Sequence, residues 1–125
     1  MSKKYFEDTY KELNKFIASI ENVDFLINCA GYITEDSITN RSLEDWNNHI
    51  NVNLTSLFKL MSQVIPKLGD NSVIVNISSP CSNKVRKNWV GYCCTKAALN
   101  QLTNVCCEEN ENIKIFTVSP SKTDT

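Results

Sequence analysis

The sequence predicts an α/β fold: a three-layer unit built around a short parallel sheet. Segments with apolar residues at helical spacing alternate with short β-rich segments, in the order α-β-α-β-α-β. Strands joined by long helical crossovers are normally parallel, with right-handed connections. A chain of 125 residues supplies one core, and no repeat, linker or low-complexity tract divides it. We therefore expect a single domain with few strands.

The first third of the chain predicts one helix and one strand. Residues 5–20 repeat apolar side chains every three or four positions, with charges between them, which is typical of an amphipathic helix. Val23–Asn28 is a short apolar run and predicts the first strand. The small residues of Cys29-Ala30-Gly31 follow, where the backbone has to turn sharply. Open α/β sheets bind their ligands at strand ends of this kind.

The middle third predicts a polar loop followed by a long helix. The loop covers residues 32–41, and Ser42 with Asp45 three positions later resembles a capping box at a helix start. Apolar residues then recur every three or four positions, which predicts one continuous helix over residues 43–65. His49 lies on this helix without a second histidine or a carboxylate pair, so we interpret it as a solvated side chain rather than a metal ligand.

The last third predicts two strands and one helix. Gly69-Asp70-Asn71 breaks the chain, and residues 72–78 predict the second strand. Residues 79–90 predict an irregular loop, which is followed by a helix over residues 91–109 and a strand over residues 113–118. The loop has a small basic cluster, made of Lys84, Arg86 and Lys87. Most such clusters are merely solvated, but an anionic substrate is an alternative partner for this one.

Composition excludes several classes of function. The chain has 13 basic and 14 acidic residues, a net charge of −1, and so lacks the positive field that attracts nucleic acid or anionic lipid. Its first residues lack the apolar stretch of a secretory signal, and no run approaches the roughly 18 apolar residues of a membrane span. We therefore expect a soluble cytoplasmic protein that binds neither nucleic acid nor a membrane.

The six cysteines do not have the spacing of a metal site. They fall singly or as adjacent pairs: Cys29, Cys81, Cys93-Cys94 and Cys106-Cys107. Zinc sites use cysteines two to four residues apart, so that one turn presents two thiolates to one metal. We interpret these cysteines as buried or half-buried free thiols in a reducing compartment, with no bound metal.

A serine, a tyrosine and a lysine predict acid–base chemistry. Tyr92 and Lys96 lie four residues apart on the last predicted helix, so they stack about 6 Å apart along its axis. The lysine ammonium favours the phenolate, and a tyrosine so placed can give or take the proton of a carbonyl or an alcohol. Ser79, at the end of the second predicted strand, can hydrogen-bond the same oxygen. A hydride has to come from a cofactor, because no side chain supplies one.

These residues resemble the short-chain dehydrogenase/reductase family, Rossmann-type oxidoreductases that use NAD(H) or NADP(H), over about residues 5–125. Tyr92-Cys93-Cys94-Thr95-Lys96 matches the family's Tyr-x-x-x-Lys signature, and Ser79 stands where the family has its catalytic serine. Ser78 is the adjacent alternative, one residue off the family spacing. Asn53 matches the family's active-site asparagine. The resemblance implies that Asn53 extends a proton path through water, beside Ser79, Tyr92 and Lys96 as the other catalytic residues.

The resemblance also implies a site for NAD or NADP. Asn28-Cys29-Ala30-Gly31 is similar to the family's Asn-Asn-Ala-Gly element, with Cys29 in place of the second asparagine. Residues 120–125 are similar to an element in which Pro-Gly precedes a threonine at the nicotinamide end, with Ser121 in place of the glycine. By this resemblance, the cofactor contacts are Asn28, Ala30, Gly31, Tyr92, Lys96, Pro120 and Thr125.

The 125 residues contain no glycine-rich phosphate loop. Their three glycines, Gly31, Gly69 and Gly91, are too scattered to form one. Rossmann domains carry that loop in the first of their two β-α-β-α-β halves. We therefore expect residues 1–125 to form a single incomplete Rossmann-type domain, without the cofactor-binding half and without the C-terminal part that covers the substrate. The chain alone would then lack a firm hold on the dinucleotide.

Three functions remain open on the sequence. The chain is a truncated dehydrogenase with little or no activity on its own, one piece of a split enzyme, or a non-catalytic module that binds a full-length relative. In this family the first strand predicted here normally pairs with a strand of the missing half, so its edge would be bare. Bare apolar edges favour pairing with another chain. The expected partners are a second copy, a complementary piece or a full-length relative.

Overall fold

The computed structural model describes residues 3–121, which form a parallel three-stranded sheet with helices. The strands run in the spatial order β1-β2-β3, and they are β1 (Val23–Asn28), β2 (Leu68–Ile77) and β3 (Lys114–Val118). The helices are α1 (Lys3–Ser19), α2 (Leu43–Ile50), α3 (Ser56–Val64) and α4 (Val90–Glu109). The predicted α/β class and parallel sheet are thus confirmed. Within these residues, no helix combines the length and apolar character needed to cross a bilayer.

The predicted helix over residues 43–65 forms, with a π-helical turn inside it. Helix α2 passes at Asn51–Thr55 into this wider turn, which leads directly into α3. In this turn the Ser56 N–H bonds the Asn51 carbonyl, five residues back. A π turn adds a single residue, so the spacing of apolar residues does not reveal it. Such turns are frequent at functional sites.

Strand β2 begins earlier than predicted and contains a bulge. Val23 pairs with Leu68, whereas Phe25 pairs with Val73, so residues 69–72 stand opposite a single residue of β1. Asn71 has a positive φ of 67°, a conformation that asparagine tolerates better than most residues. The predicted chain break is therefore an irregularity within the strand.

The hydrophobic core lies on one face of the sheet, beneath α3 and α4. Its buried members are Leu57, Met61, Ile74, Leu99, Ile113 and Ile115. Helix α1 packs against α3, where Gln63 Nε2 donates a hydrogen bond to Asn14 Oδ1 at 2.9 Å. The ammonium of Lys59 also lies 3.8 Å from the ring centroid of Tyr10.

The opposite face of the sheet is apolar and uncovered in residues 3–121. Side chains alternate between the two faces of a strand. Phe25 and Ile27 of β1 are 70% and 66% exposed, and Phe116 of β3 is 50% exposed. We call this surface, completed by Val73 and Val75, the open sheet face. The described residues thus form the sheet and one helical layer of the predicted three-layer unit.

Candidate functional site

The predicted site residues gather where the parallel strands end. Ser79 lies two residues beyond β2, and Ala30 and Gly31 follow β1. Pro120 lies two residues beyond β3 and is exposed, as are Ala30 and Gly31. The carboxyl ends of parallel strands share one edge of the sheet, which is where ligands bind in open α/β folds. Thr125 lies outside the described residues.

Lys96 connects α4 to the end of β2. Its side chain is buried, and Nζ donates a hydrogen bond to the Ile77 carbonyl oxygen at 2.7 Å. Burial lowers the pKa of the Lys96 ammonium, and an electrostatic interaction with Cys29 partly offsets that shift. Nζ also lies 5.6 Å from the centroid of the Tyr92 ring. The tyrosine and lysine of the predicted pair are therefore together, and Lys96 is anchored on the residue two positions before Ser79.

Tyr92 is half-buried in the first turn of α4. Its ring meets the ring of Trp89 edge to face, with the centroids 5.9 Å apart. The phenol ring therefore contacts the indole of Trp89, and the buried ammonium of Lys96 lies within cation–π range of it.

The two candidate serines have different environments. Ser79 is half-buried, and its Oγ accepts a hydrogen bond from the Cys81 N–H at 3.2 Å. Its hydroxyl proton thus remains able to donate to another group. Ser78 is buried and donates to Asn100 Oδ1 at 2.7 Å. Of the two serines, Ser78 is thus the one whose hydroxyl is committed to a protein acceptor.

Asn53 is buried in the π-helical turn and is fully engaged by the protein. Its Oδ1 accepts the Tyr32 N–H at 2.7 Å, while its Nδ2 donates to the Tyr32 carbonyl at 2.8 Å and to Thr95 Oγ1 at 3.1 Å. The side chain therefore ties the segment after Gly31 to α4, one residue before Lys96. Its contacts here are those of a residue that positions the site.

Asn28 points into the core instead of toward the exposed edge. Its Nδ2 donates to Asn76 Oδ1 at 2.7 Å, and Asn76 Nδ2 donates to Thr103 Oγ1 at 2.9 Å. The chain of hydrogen bonds joins β1, β2 and α4 below the site. Sequence reasoning missed Asn76, although an asparagine inside the apolar run of residues 73–77 was a visible signal.

The interpretation of His49 as a solvated side chain was wrong. The imidazole is 0% exposed, its Nδ1 bonds the Asp45 carbonyl at 2.9 Å, and its Nε2 accepts the Thr34 N–H at 3.4 Å. A Cβ at Gly91 would lie only 2.7 Å from His49 Cγ. Because Gly91 has no side chain, α4 approaches α2 closely enough to bury the ring. This contact fixes the backbone directly before Tyr92.

Asp45 organises the loop beside the site. Its carboxylate accepts hydrogen bonds from the Tyr32 hydroxyl at 2.8 Å, from Thr34 Oγ1 at 2.9 Å and from the Arg41 guanidinium. Burial alone would raise the pKa of Asp45, but the hydrogen bonds from Tyr32 and Thr34 and the charge of Arg41 hold it below its usual value. The predicted cap is also present, since Ser42 Oγ accepts the Asp45 N–H at 3.1 Å.

Arg41 joins that loop to the loop before α4. Its guanidinium donates to the carbonyls of Thr34 and Asp36, both at 3.2 Å, and to that of Asn88 at 3.1 Å. A cavity of about 580 Å³ lies beside this junction, between residues 82–88 and α4. The basic cluster lines its outer wall.

Comparison with known proteins identifies the family. The family model described as short chain dehydrogenase matches residues 4–125. The chain belongs to the short-chain dehydrogenase/reductase family. It is 35% identical over 120 residues to acetoacetyl-CoA reductase of Cupriavidus necator, and 31% identical over 119 residues to 3-oxoacyl-[acyl-carrier-protein] reductase of Chlamydia muridarum. These matches cover 92% and 91% of the chain and 48% of each reductase.

Solved short-chain dehydrogenases show the same fold. A double phenylalanine-to-leucine mutant of the Serratia marcescens enzyme superposes with a TM-score of 0.84 at 24% identity, over 92% of this chain and 48% of that one. Gluconate 5-dehydrogenase of Burkholderia cenocepacia, in complex with NADP and tartrate, superposes with a TM-score of 0.80 at 26% identity, over 90% and 46%. The chain thus spans about half the length of the relatives it matches.

Proposed function

We propose that this chain supplies the acid–base part of an NAD(P)-dependent oxidoreductase that interconverts a carbonyl and an alcohol. The observation that carries the proposal is the placement of Lys96. Its buried ammonium is anchored on the Ile77 carbonyl at the end of β2 and lies 5.6 Å from the Tyr92 ring centroid. A tyrosine beside a buried cation at a ligand-binding sheet edge is suited to proton transfer.

Each side chain has a distinct role in this proposal. In the reducing direction, the Tyr92 hydroxyl gives its proton to the carbonyl oxygen, and in the oxidising direction the phenolate takes the alcohol proton. Ser79 donates a hydrogen bond to the same oxygen. Its Oγ accepts a hydrogen bond from the Cys81 N–H, and this contact does not use the hydroxyl proton. Lys96 has three N–H donors and Ile77 uses one, which leaves two for the tyrosine oxygen or a ribose. The nicotinamide supplies or accepts the hydride when it is bound.

The exposed strand ends fit part of a dinucleotide site. Ala30, Gly31 and Pro120 present backbone at the edge, and Asn53 fixes the segment after Gly31 through the Tyr32 backbone. We assign the nicotinamide side of the cofactor to these residues, with Asn28 supporting them from below and Thr125 as a further contact by family resemblance. The pyrophosphate needs backbone donors at a helix N-terminus after a glycine-rich loop, and the 125 residues have no such loop. We therefore propose that these residues alone show no turnover.

The open sheet face favours a second candidate, in which the chain is one piece of a split enzyme. Phe25 and Ile27 leave β1 apolar on one side, and β1 has a free edge within the described residues. A glycine-rich β-α-β segment would pair with that edge, cover the open sheet face and bring the missing phosphate loop. Exposed apolar patches of this kind mark interaction surfaces.

Titration and turnover test both candidates. The 125-residue chain is titrated calorimetrically with NADH and NADPH and assayed for reduction of several ketones, alone and with a separately expressed glycine-rich β-α-β segment from a related dehydrogenase. We expect no turnover from the chain alone and measurable turnover with the segment. Tyr92→Phe should then lower the rate by about 10²- to 10⁴-fold, the usual contribution of a general acid. Tyr10→Phe, on α1, is the matched control.

The outcomes separate the parts of the proposal. Turnover by the chain alone that disappears in Tyr92→Phe would uphold the chemistry and contradict the need for a complementary segment. Turnover that survives in Tyr92→Phe would contradict the assigned acid. Absence of turnover with a segment that demonstrably binds would favour the non-catalytic module.

The cysteines support a cytoplasmic location as a further part of the proposal. All six carry free thiols in the structure, and free thiols persist in reducing compartments. Cell fractionation followed by immunoblotting tests this directly, and recovery from an oxidising compartment would contradict it.

A further inference from the structure

Three cysteines line the cavity between α4 and the loop that follows β2. Cys81 lies in the 3₁₀ turn Pro80–Ser82, and Cys93 and Cys94 lie in the first turns of α4. The turn and the helix pack directly against each other. Cys81 is 5% exposed and Cys93 is half-buried, while the exposed residues 83–88 leave the cavity open to small molecules. None of these thiols takes part in the proposed proton transfer.

Cys81 and Cys93 line the same cavity at the junction where the 3₁₀ turn packs against α4. Burial raises the pKa of the Cys93 thiol and a hydrogen bond with the Arg86 backbone lowers it, while electrostatic and hydrogen-bonding contacts with Cys81 raise it again. A disulfide joins cysteines whose Cα atoms are about 4.4–6.8 Å apart, a range open to a turn that packs directly against a helix. Cys94 points about 100° away around the helix and lines a second cavity with Trp46.

We propose that Cys81 and Cys93 form a dithiol site, which a low-molecular-weight disulfide such as glutathione disulfide converts to an intramolecular disulfide. The Cys93 thiolate attacks one sulfur of the small disulfide, whose S–S bond breaks and releases one small thiolate. The Cys81 thiolate then attacks the Cys93 sulfur and expels the second small thiolate. The protein loses two electrons and two protons, and the small disulfide is reduced to two thiols.

Cys93 is the first nucleophile because it is the more accessible of the two. Cys81 is buried and lies on the turn that packs against α4, so we assign it to resolve the mixed disulfide. The new bond joins the residue two positions after Ser79 to the residue directly after Tyr92. It would fix the turn that Ser79 caps to the helix that carries Tyr92, whatever reaction the protein performs.

Peptide mapping of the wild-type chain tests the site without a variant. The chain is incubated with glutathione disulfide at pH 8, its remaining thiols are blocked with N-ethylmaleimide, and it is digested with trypsin. We expect loss of two of the six thiols and a cross-link between tryptic peptides 68–84 and 88–96, which hold Cys81 and Cys93. Dithiothreitol should restore all six.

Single substitutions assign the cross-link to one pair. Cys94→Ser, the matched control on the neighbouring helical position, should form the cross-link as the wild type does. Cys93→Ser and Cys81→Ser should not form it, and Cys81→Ser should stop at a glutathione adduct on Cys93. Retention of all six thiols, a disulfide within peptide 88–96, or a cross-link that requires Cys94 would each overturn the proposal.

Discussion

The Lys96 ammonium donates a hydrogen bond to the Ile77 carbonyl oxygen at 2.7 Å, inside the protein. This bond joins the helix that carries Tyr92 to the strand that leads into Ser79. It also holds the charged ammonium of Lys96 in the protein interior, and this burial lowers the pKa of the ammonium. The same contact therefore organises the site and makes the stability of the fold depend on pH.

The pH dependence of the free energy of unfolding should show that the Lys96 ammonium is buried. The pKa of Lys96 in the folded protein lies below the unfolded value of 10.5. At pH values between these two pKa values, the unfolded chain binds more protons than the folded one. The contribution of Lys96 to the free energy of unfolding therefore rises with pH. We expect the free energy of unfolding of the wild type, minus that of Lys96→Met, to increase as pH approaches 10.5. Urea titrations from pH 7 to 11 measure it, with Lys84→Met as the control for removing an exposed lysine. A flat or falling difference would contradict the buried charge.

Gly91→Ala should destabilise the protein despite the better helix propensity of alanine. The added Cβ would lie 2.7 Å from Cγ of a fully buried imidazole. Overpacking of that kind costs about 1–3 kcal/mol, against a propensity gain of about 1 kcal/mol at most. Thermal and urea unfolding measure the loss. Gly69→Ala is the matched control, because its nearest neighbour would be Ser72 Oγ at 4.0 Å. The loss should shrink in a His49→Ala background, and its persistence there would exclude the ring as the cause.

Asp45→Asn should lower the free energy of unfolding at neutral pH and have less effect at acidic pH. The folded pKa of Asp45 lies below the ordinary value of 3.8, so its stabilisation is complete above that value and is lost as pH falls toward the folded pKa. We expect the wild type to exceed the variant by about 2 kcal/mol at pH 6, as for hydrogen bonds to a charged group, with the gap narrowing below about pH 4. Tryptophan fluorescence in urea follows this, and Asp24→Asn is the exposed control. A gap independent of pH would contradict the assignment.

Asn53→Ala should loosen the segment after Gly31. The substitution leaves the partly buried N–H and carbonyl of Tyr32 without their side-chain partner, and an unmet buried group costs up to about 1–3 kcal/mol. Hydrogen exchange should show faster exchange of the Tyr32 amide, by about tenfold or more. Asn104→Ala, at an exposed position of α4, should leave that amide unchanged. Equal protection in both variants would mean that Asn53 does not hold the segment.

Local pattern was enough to predict the elements and the spacing of the central pair. The apolar runs gave β1 at its observed bounds and α4 within one residue, because strand and helix periodicity are properties of short segments. Tyr92 and Lys96 lie four residues apart on a helix, so their stacking follows from helix geometry alone. The family resemblance, carried by those residues and their order, was likewise visible in the sequence and is confirmed by the match over residues 4–125.

Contacts between residues far apart in the sequence determined features that the spacing of apolar residues does not predict. His49 looks solvated on its own helix and is buried only because Gly91, 42 positions later, admits α4 against it. The bulge in β2 is defined by its pairing with β1, a strand about 45 residues earlier in the chain. The partners of Asn53 lie on a distant loop and a distant helix. Sequence by itself therefore determined which elements form and which family the chain belongs to. Only the tertiary structure decided which polar side chains are buried and engaged by other protein groups and which stay accessible at the sheet edge, because that choice depends on neighbours remote along the chain.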